Sequence, residues 1–159
     1  MSIVLFRVDE RLIHGQVVIG WAHHLRPDAY VVVDDDLASS AWEQDLYRLG
    51  AGTAGVDFVT VPDARERLRE WRASPARTIL LTRDLTTMRR LAEGRLLAGA
   101  QVNLGGIHHG PGRAEVLTYL HLTEQDRADL REIAESGANV TARDLPDAHR
   151  VTLETLLKE

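Results

Sequence analysis

Between Phe6 and Val17 the chain reads Arg7-Val8-Asp9-Glu10-Arg11-Leu12-Ile13-His14-Gly15-Gln16, so two arginines, two carboxylates and a histidine share one short stretch. Guanidinium groups stay charged at any working pH and make forked contacts to phosphate oxygens, which suits Arg7 and Arg11 to an anion. His14 stands just before an apolar stretch of helical spacing, and a helix N-terminus presents unpaired N–H groups and the positive end of a dipole. Gly15 beside it permits close approach of backbone to a ligand. A neutral imidazole in this setting is a nucleophile able to accept a phosphoryl group, a transfer that needs little beyond positioning and charge stabilisation. The arginines disfavour imidazolium, whereas Asp9 and Glu10 favour it. One of these carboxylates either fixes the tautomer through the second ring nitrogen or pairs with an arginine. The competing reading is an ordinary loop of surface ion pairs with His14 as a polar helix cap.

The elements that must position this loop follow from periodicity. Short apolar, β-branched runs at 3–6, 30–33, 58–61, 78–81 and 101–104 have strand length. Behind the first comes an apolar helical face of Val17, Val18, Trp21, Ala22 and Leu25, and behind the second one of Ala38, Trp42, Leu46 and Leu49. Ala64, Leu68 and Trp71 follow the third, and Leu85, Met88, Leu91 and Ala92 the fourth. This alternation predicts an α/β fold with a mainly parallel sheet of about six or seven strands, covered on both sides. Gly105 to Arg113, with four glycines and a proline, predicts a turn or bulged hairpin before the apolar stretch 116–122. Thr123 offers an N-cap, Leu130, Ile133 and Ala134 a buried stripe, and Gly137 a helix end. A last strand at 139–142 and a short helix carrying Val151, Leu153, Leu156 and Leu157 complete a single domain, 1–159. In such sheets the working crevice lies beyond the carboxyl ends of the strands, which is where the His14 loop falls.

Composition removes other classes. With 44% hydrophobic and 27% charged residues, the chain is expected to fold rather than stay disordered. Nineteen Lys and Arg against 24 Asp and Glu leave a net charge of −5, which argues against nucleic acid. The absence of cysteine excludes disulfides, thiolate zinc sites and cysteine nucleophiles. No segment is long and apolar enough for a membrane span, and the charges from Arg7 onward interrupt any signal-peptide core, so a cytoplasmic location is expected. A metal site from His14, His108, His109 and His121 lacks chelating spacing, and His108 and His109 read as exposed loop residues. His23 and His24 suit the negative end of the first helix. Trp21, Trp42 and Trp71 fall at apolar helical positions and are expected in the core. The glycines between Gly50 and Gly55 follow a helix and precede a strand, the reverse of a phosphate-cradling loop.

The string from Arg7 to Val17 resembles the signature of the enzyme IIB component of the mannose/fructose/sorbose family of the bacterial phosphoenolpyruvate-dependent sugar phosphotransferase system. Val102-Asn103-Leu104-Gly105-Gly106-Ile107 is similar to that family's Asn-x-Gly-Gly loop, continued by Pro111-Gly112-Arg113, and Asp34-Asp35-Asp36 matches its acidic residues after the second strand. The resemblance covers nearly the whole chain. It implies a three-layer αβα sandwich and a protein-phosphohistidine–sugar phosphotransferase in which His14 is phosphorylated on Nδ1. The donor is then a histidine of a IIA protein or domain, and the acceptor a sugar delivered by membrane IIC and IID subunits. It assigns Arg11 and Arg7 to steadying the phosphoryl group, Asp9, Gly15 and Gln16 to the positioning of that loop, and Asp35, Asn103, Gly105 and Gly106 to a second loop. It calls for no cofactor and no metal. It also implies peripheral attachment to the inner face of the membrane through the permease, self-association among its members, and docking to IIA, for which Leu12, Ile13 and Ile107 are the candidate apolar contacts. Glu10 stands where the family commonly has Asp, Ile107 where Met is frequent, and His108 and His109 are untypical, bordering the phosphoryl site if the two loops fold together. Unrelated IIB families carry the phosphoryl group on cysteine, which this chain lacks. Two alternatives share the residues or the layout: a phosphohistidine signalling module without a permease, and a small-ligand or nucleotide-binding domain by fold analogy.

Overall fold

Strands apolar on both faces need cover on both faces, and a computed structural model describing residues 2–158, with Gln16 through its backbone alone, shows how this chain provides it. The strands are β1 (Ile3–Val8), β2 (Ala29–Val33), β3 (Gly55–Val59), β4 (Thr78–Thr82), β5 (Gln101–Leu104), β6 (Ala114–Leu117), β7 (Leu120–Leu122), β8 (Asn139–Ala142) and β9 (Val151–Thr152). Seven of them form one sheet in the order β3-β2-β4-β1-β5-β8-β9, while β6 and β7 pair as a separate antiparallel hairpin. Every pairing in the large sheet is parallel except that of the edge strand β9 on β8.

The first helix is π-helical over Gln16–Ala22 and runs into α1 (His23–Leu25), and the others are α2 (Ala41–Gly50), α3 (Val61–Ala73), α4 (Leu85–Ala92), α5 (Glu124–Glu135) and α6 (Leu153–Leu156). One core joins Phe6, Val8, Leu80 and Val102 of the sheet to Leu68, Met88, Leu91, Leu130 and Ile133 of α3, α4 and α5. A second core on the opposite face joins Tyr30, Val32, Ile79 and Leu81 to Leu12, Val17, Leu37 and Ala51. This is the expected three-layer arrangement.

Three local expectations need correction. The third strand ends at Val59 because Thr60 caps α3, its hydroxyl accepting from the Asp63 N–H at 3.2 Å, with Pro62 in the first turn. Val151 belongs to β9 and not to the terminal helix. The apolar face of α2 does not pack on the sheet. Trp42, Leu46 and Leu49 are 68%, 58% and 82% exposed, while Tyr47 turns inward against Phe58. Periodicity identifies an apolar stripe but not the surface that it meets. Trp21 and Trp71 are buried as expected.

Candidate phosphoryl-transfer site

β1 lies between β4 and β5, and Val8 pairs in register with Leu104, so the loops after β1 and β5 leave the carboxyl edge side by side. They are stitched together by Gly105 N–H to Val8 O at 2.7 Å and Glu10 N–H to Gly106 O at 2.8 Å. Asp9, fully buried, is the centre of the assembly. Its Oδ1 accepts from the backbone N–H of Arg11 at 3.0 Å and from Arg11 Nε at 3.1 Å. Its Oδ2 accepts from Arg7 Nη2 at 3.0 Å and Arg11 Nη2 at 3.2 Å, and lies 3.3 Å from His14 Nε2. Burial alone would raise the Asp9 pKa, but the hydrogen bonds from His14 and Arg11 and the charge of Arg7 hold the carboxyl well below the usual range. Asp9 is thus an anion facing the ring.

The two arginines differ in access. Arg7 is fully buried, and its guanidinium also binds Asn103 Oδ1, Arg143 O at 2.9 Å and Asp144 O at 3.1 Å. Burial lowers its pKa, with Asp9 opposing. Arg11 keeps 30% of its side chain exposed and His14 18%, so these two groups border solvent above the buried pair. Gly105 and Gly106 are required by this packing. A Cβ on Gly105 would collide with the Arg7 guanidinium and stand 2.6 Å from Asp9 Oδ2, and one on Gly106 would stand 2.7 Å from Arg11 Nη2. Leu12 adopts φ 57°, a left-handed conformation costing about 1–3 kcal/mol in a non-glycine residue. Its N–H closes a turn onto Asp9 O at 3.0 Å.

Other assigned residues have different surroundings. Glu10 does not join His14. It accepts from His108 N–H at 2.7 Å, His108 Nδ1 at 2.8 Å and Arg113 Nη1 at 3.2 Å, which ties the first loop to the glycine-rich one. These contacts overcome the effect of burial and lower the Glu10 pKa. His108 and His109 are exposed as expected, though His108 is anchored by Glu10. Asp35 accepts from Val61 N–H and pairs with Arg90, both at 2.8 Å, which accounts for both of its oxygens away from the His14 group. Gly15 is exposed with right-handed backbone, and a Cβ there would meet nothing within 4 Å, so the chain's own packing does not demand glycine at that position. The Gln16 side chain lies outside the described residues. Leu12, Ile13 and Ile107 are all buried in the two cores, which removes them as a docking surface.

Periodicity and motif missed Arg143 and Asp144 altogether, and missed the part that Trp21 plays. Trp21 Nε1 donates to Asp144 O at 2.9 Å, and its ring lies 5.2 Å from the Arg7 guanidinium and 5.0 Å from that of Arg143. Asp144 Oδ1 stands 3.9 Å from Arg7 Nη2 and 3.8 Å from Arg11 Nη2. The only local hint was Pro146, which marks a break in the chain just beyond them.

Comparison with known proteins gives the family and the fold. The family model for the PTS system sorbose subfamily IIB component matches residues 3–159. N-acetylgalactosamine-specific phosphotransferase enzyme IIB component 1 of Escherichia coli (strain K12) is 34% identical over 148 residues, covering 91% of this chain and 92% of that protein. The PTS system mannose-specific EIIAB component of Escherichia coli (strain K12) is 26% identical over 162 residues, covering 100% of this chain but 49% of the longer protein. The crystal structure of the PTS system N-acetylgalactosamine-specific IIB component 1 from Escherichia coli superposes with a TM-score of 0.84 at 32% identity, over 95% of this chain and 99% of that one. With its sequence matched from β1 onward and its fold shared, this chain belongs to the sorbose subfamily of PTS IIB components and is a phosphotransferase of that system.

Proposed function

We propose that His14 is the residue through which this IIB chain carries the phosphoryl group from a IIA protein or domain to a sugar. The observation that supports this reading is the buried Asp9 carboxylate at 3.3 Å from His14 Nε2. A carboxylate only accepts hydrogen bonds, so its approach to Nε2 favours the tautomer with the proton on Nε2 and the lone pair on Nδ1. In the transfer, the Nδ1 lone pair forms a bond to phosphorus while the bond from phosphorus to the donor's ring nitrogen breaks, its electrons returning to the donor. The His14 ring becomes cationic with its proton still on Nε2, and Asp9 offsets that charge in a low-dielectric setting. Arg11, the partly exposed arginine of the pair, holds Asp9 through Nε and Nη2 and offers its other guanidinium N–H groups to the developing phosphoryl charge. Arg7 works from below by fixing Asp9 and the β5 loop, together with Asn103, Gly105 and Gly106. Gly15 is exposed and puts no side chain of its own next to His14 in the way of the incoming group.

The mannose-specific relative, whose name joins A and B components and of which this chain spans 49%, supports a IIA partner as donor. The onward acceptor is a sugar held by membrane IIC and IID subunits, so the chain works at the inner face of the membrane through them. No helix among the described residues is long and apolar enough to cross a membrane. Incubation with enzyme I, HPr, a IIA protein and radiolabelled phosphoenolpyruvate is expected to label the chain with acid-labile phosphate, and His14→Ala to abolish it. Retention of that label by the variant would overturn the assignment.

A further inference from the structure

The contacts of Asp144 have no place in the transfer as described, and they come from the far end of the chain. Its main-chain oxygen accepts from both Arg7 Nη2 and Trp21 Nε1, so the segment after β8 is pinned beneath the His14 loop. Its carboxylate lies within 3.9 Å of Arg7 and 3.8 Å of Arg11, on guanidinium groups that already bind Asp9 at 3.0–3.2 Å. Asp9 is fully buried and hydrogen-bonded on both oxygens, whereas the Asp144 side chain is 25% exposed and held at the longer distances. Arg7, Arg11, Asp9 and Asp144 sum to zero charge while His14 is neutral. A phosphoryl group brings about −1.5 to −2 at neutral pH and three acceptor oxygens, so that even with the cationic ring counted the phosphohistidine adds net negative charge to that balanced set.

We propose that Asp144 is a positioning residue that holds Arg11 in the unphosphorylated protein and competes with the phosphoryl group for it, keeping the phosphohistidine poised for onward transfer. The inference rests on His14 being the phosphorylated residue. Arg11 is the natural pivot, because it is the partly exposed arginine and its Asp144 contact is the weaker of its two carboxylate pairs. The negative charge of Asp144 then raises the free energy of the phosphorylated form and makes the group easier to pass on. A purely structural side chain has the opposite signature, since loosening Arg7 or Arg11 would weaken phosphoryl binding.

The test is the equilibrium partition of labelled phosphate between a IIA protein and the full-length chain. Asp144→Asn, and independently Asp144→Ser, are expected to shift the partition toward this chain by about five- to tenfold, the effect of removing one charge near a dianion across water-like dielectric. Near-UV circular dichroism confirms that each variant is folded, and agreement between two side chains of different shape assigns the shift to charge. A partition unchanged within about twofold, or moved toward the donor, would overturn the proposal. If wild-type label is lost in His14→Ala but the Asp144 variants behave as wild type, this inference alone falls. If the label persists in His14→Ala, the reading on which it rests falls as well.

Discussion

Two Asp–Arg clusters stand at the carboxyl edge of the same sheet, one after β1 and one after β2. In the second, Asp34 pairs with Arg83 at 2.9 Å and Asp35 with Arg90 at 2.8 Å, while their remaining oxygens accept backbone N–H groups of the turn and of α3. Each acid there has its own arginine, and the Asp35–Arg90 pair is 42% and 39% exposed, so water screens it. In the first cluster a single buried carboxylate serves two arginines and an imidazole. The same residue types therefore build separate local braces in one place and one shared, buried cluster in the other. Burial and the sharing of one acceptor make the difference, because an ion removed from water is held in place only by its partners and acts strongly on them.

The largest expected effect contrasts the two acids. Asp9→Asn should cost about 3–5 kcal/mol of stability in chemical denaturation, because the buried Arg7 loses its counter-charge. Asp35→Asn should cost no more than about 1 kcal/mol. Equal losses would break the comparison.

The glycines offer a second contrast. Gly105→Ala is expected to cost about 1–3 kcal/mol, as the Arg7–Asp9 contact must yield to a methyl group. Gly15→Ala should leave the melting temperature unchanged or raise it, since the backbone is right-handed and the space open, yet slow phosphoryl transfer. Normal transfer kinetics in Gly15→Ala would show that the space beside His14 is not used.

Arginine chemistry separates the clusters more finely. Arg11→Lys should slow transfer from IIA about tenfold with the fold retained, because an ammonium cannot both hold the two Asp9 oxygens and present further N–H groups to a phosphoryl group. Arg90→Lys should leave the rate within about twofold of wild type, its partner being a screened surface acid. Rapid-quench measurements of labelled chain decide both.

Acid stability gives the smallest signal. The folded Asp9 carboxyl titrates below its unfolded value, so its contribution is complete above the unfolded value near about pH 4 and drains away as pH falls toward the folded one. Wild-type stability should decline with acidification below about pH 4, and Asp9→Asn should show a shallower decline over the same window. Parallel profiles would mean that other acids govern that limb.

Much of the fold was legible because local patterns suffice for it. The runs at 101–104 and 139–142 coincide with β5 and β8, and Thr123 and Gly137 bound α5 through a capping box and a left-handed turn. Where a pattern was right but its partner unknown, the reading failed. The stripe of α2 is apolar, yet Trp42 and Leu49 face solvent, and the turn closed at Leu12 sends that side chain and Ile13 into the core.

The sequence by itself determined the family, the parallel αβα layout and the two loops that carry His14 and Asn103, Gly105 and Gly106. These depend on short-range spacing and on consecutive residues. Tertiary structure alone decided that Asp9 and not Glu10 faces His14, that Arg7 is buried while Arg11 borders solvent, and that Arg143 and Asp144 close the site from below. Those last contacts join residues 136 and 137 positions apart. They exist because the order β1-β5-β8 brings three strand ends together, and that order is set by the packing of whole faces, which no local window of sequence contains.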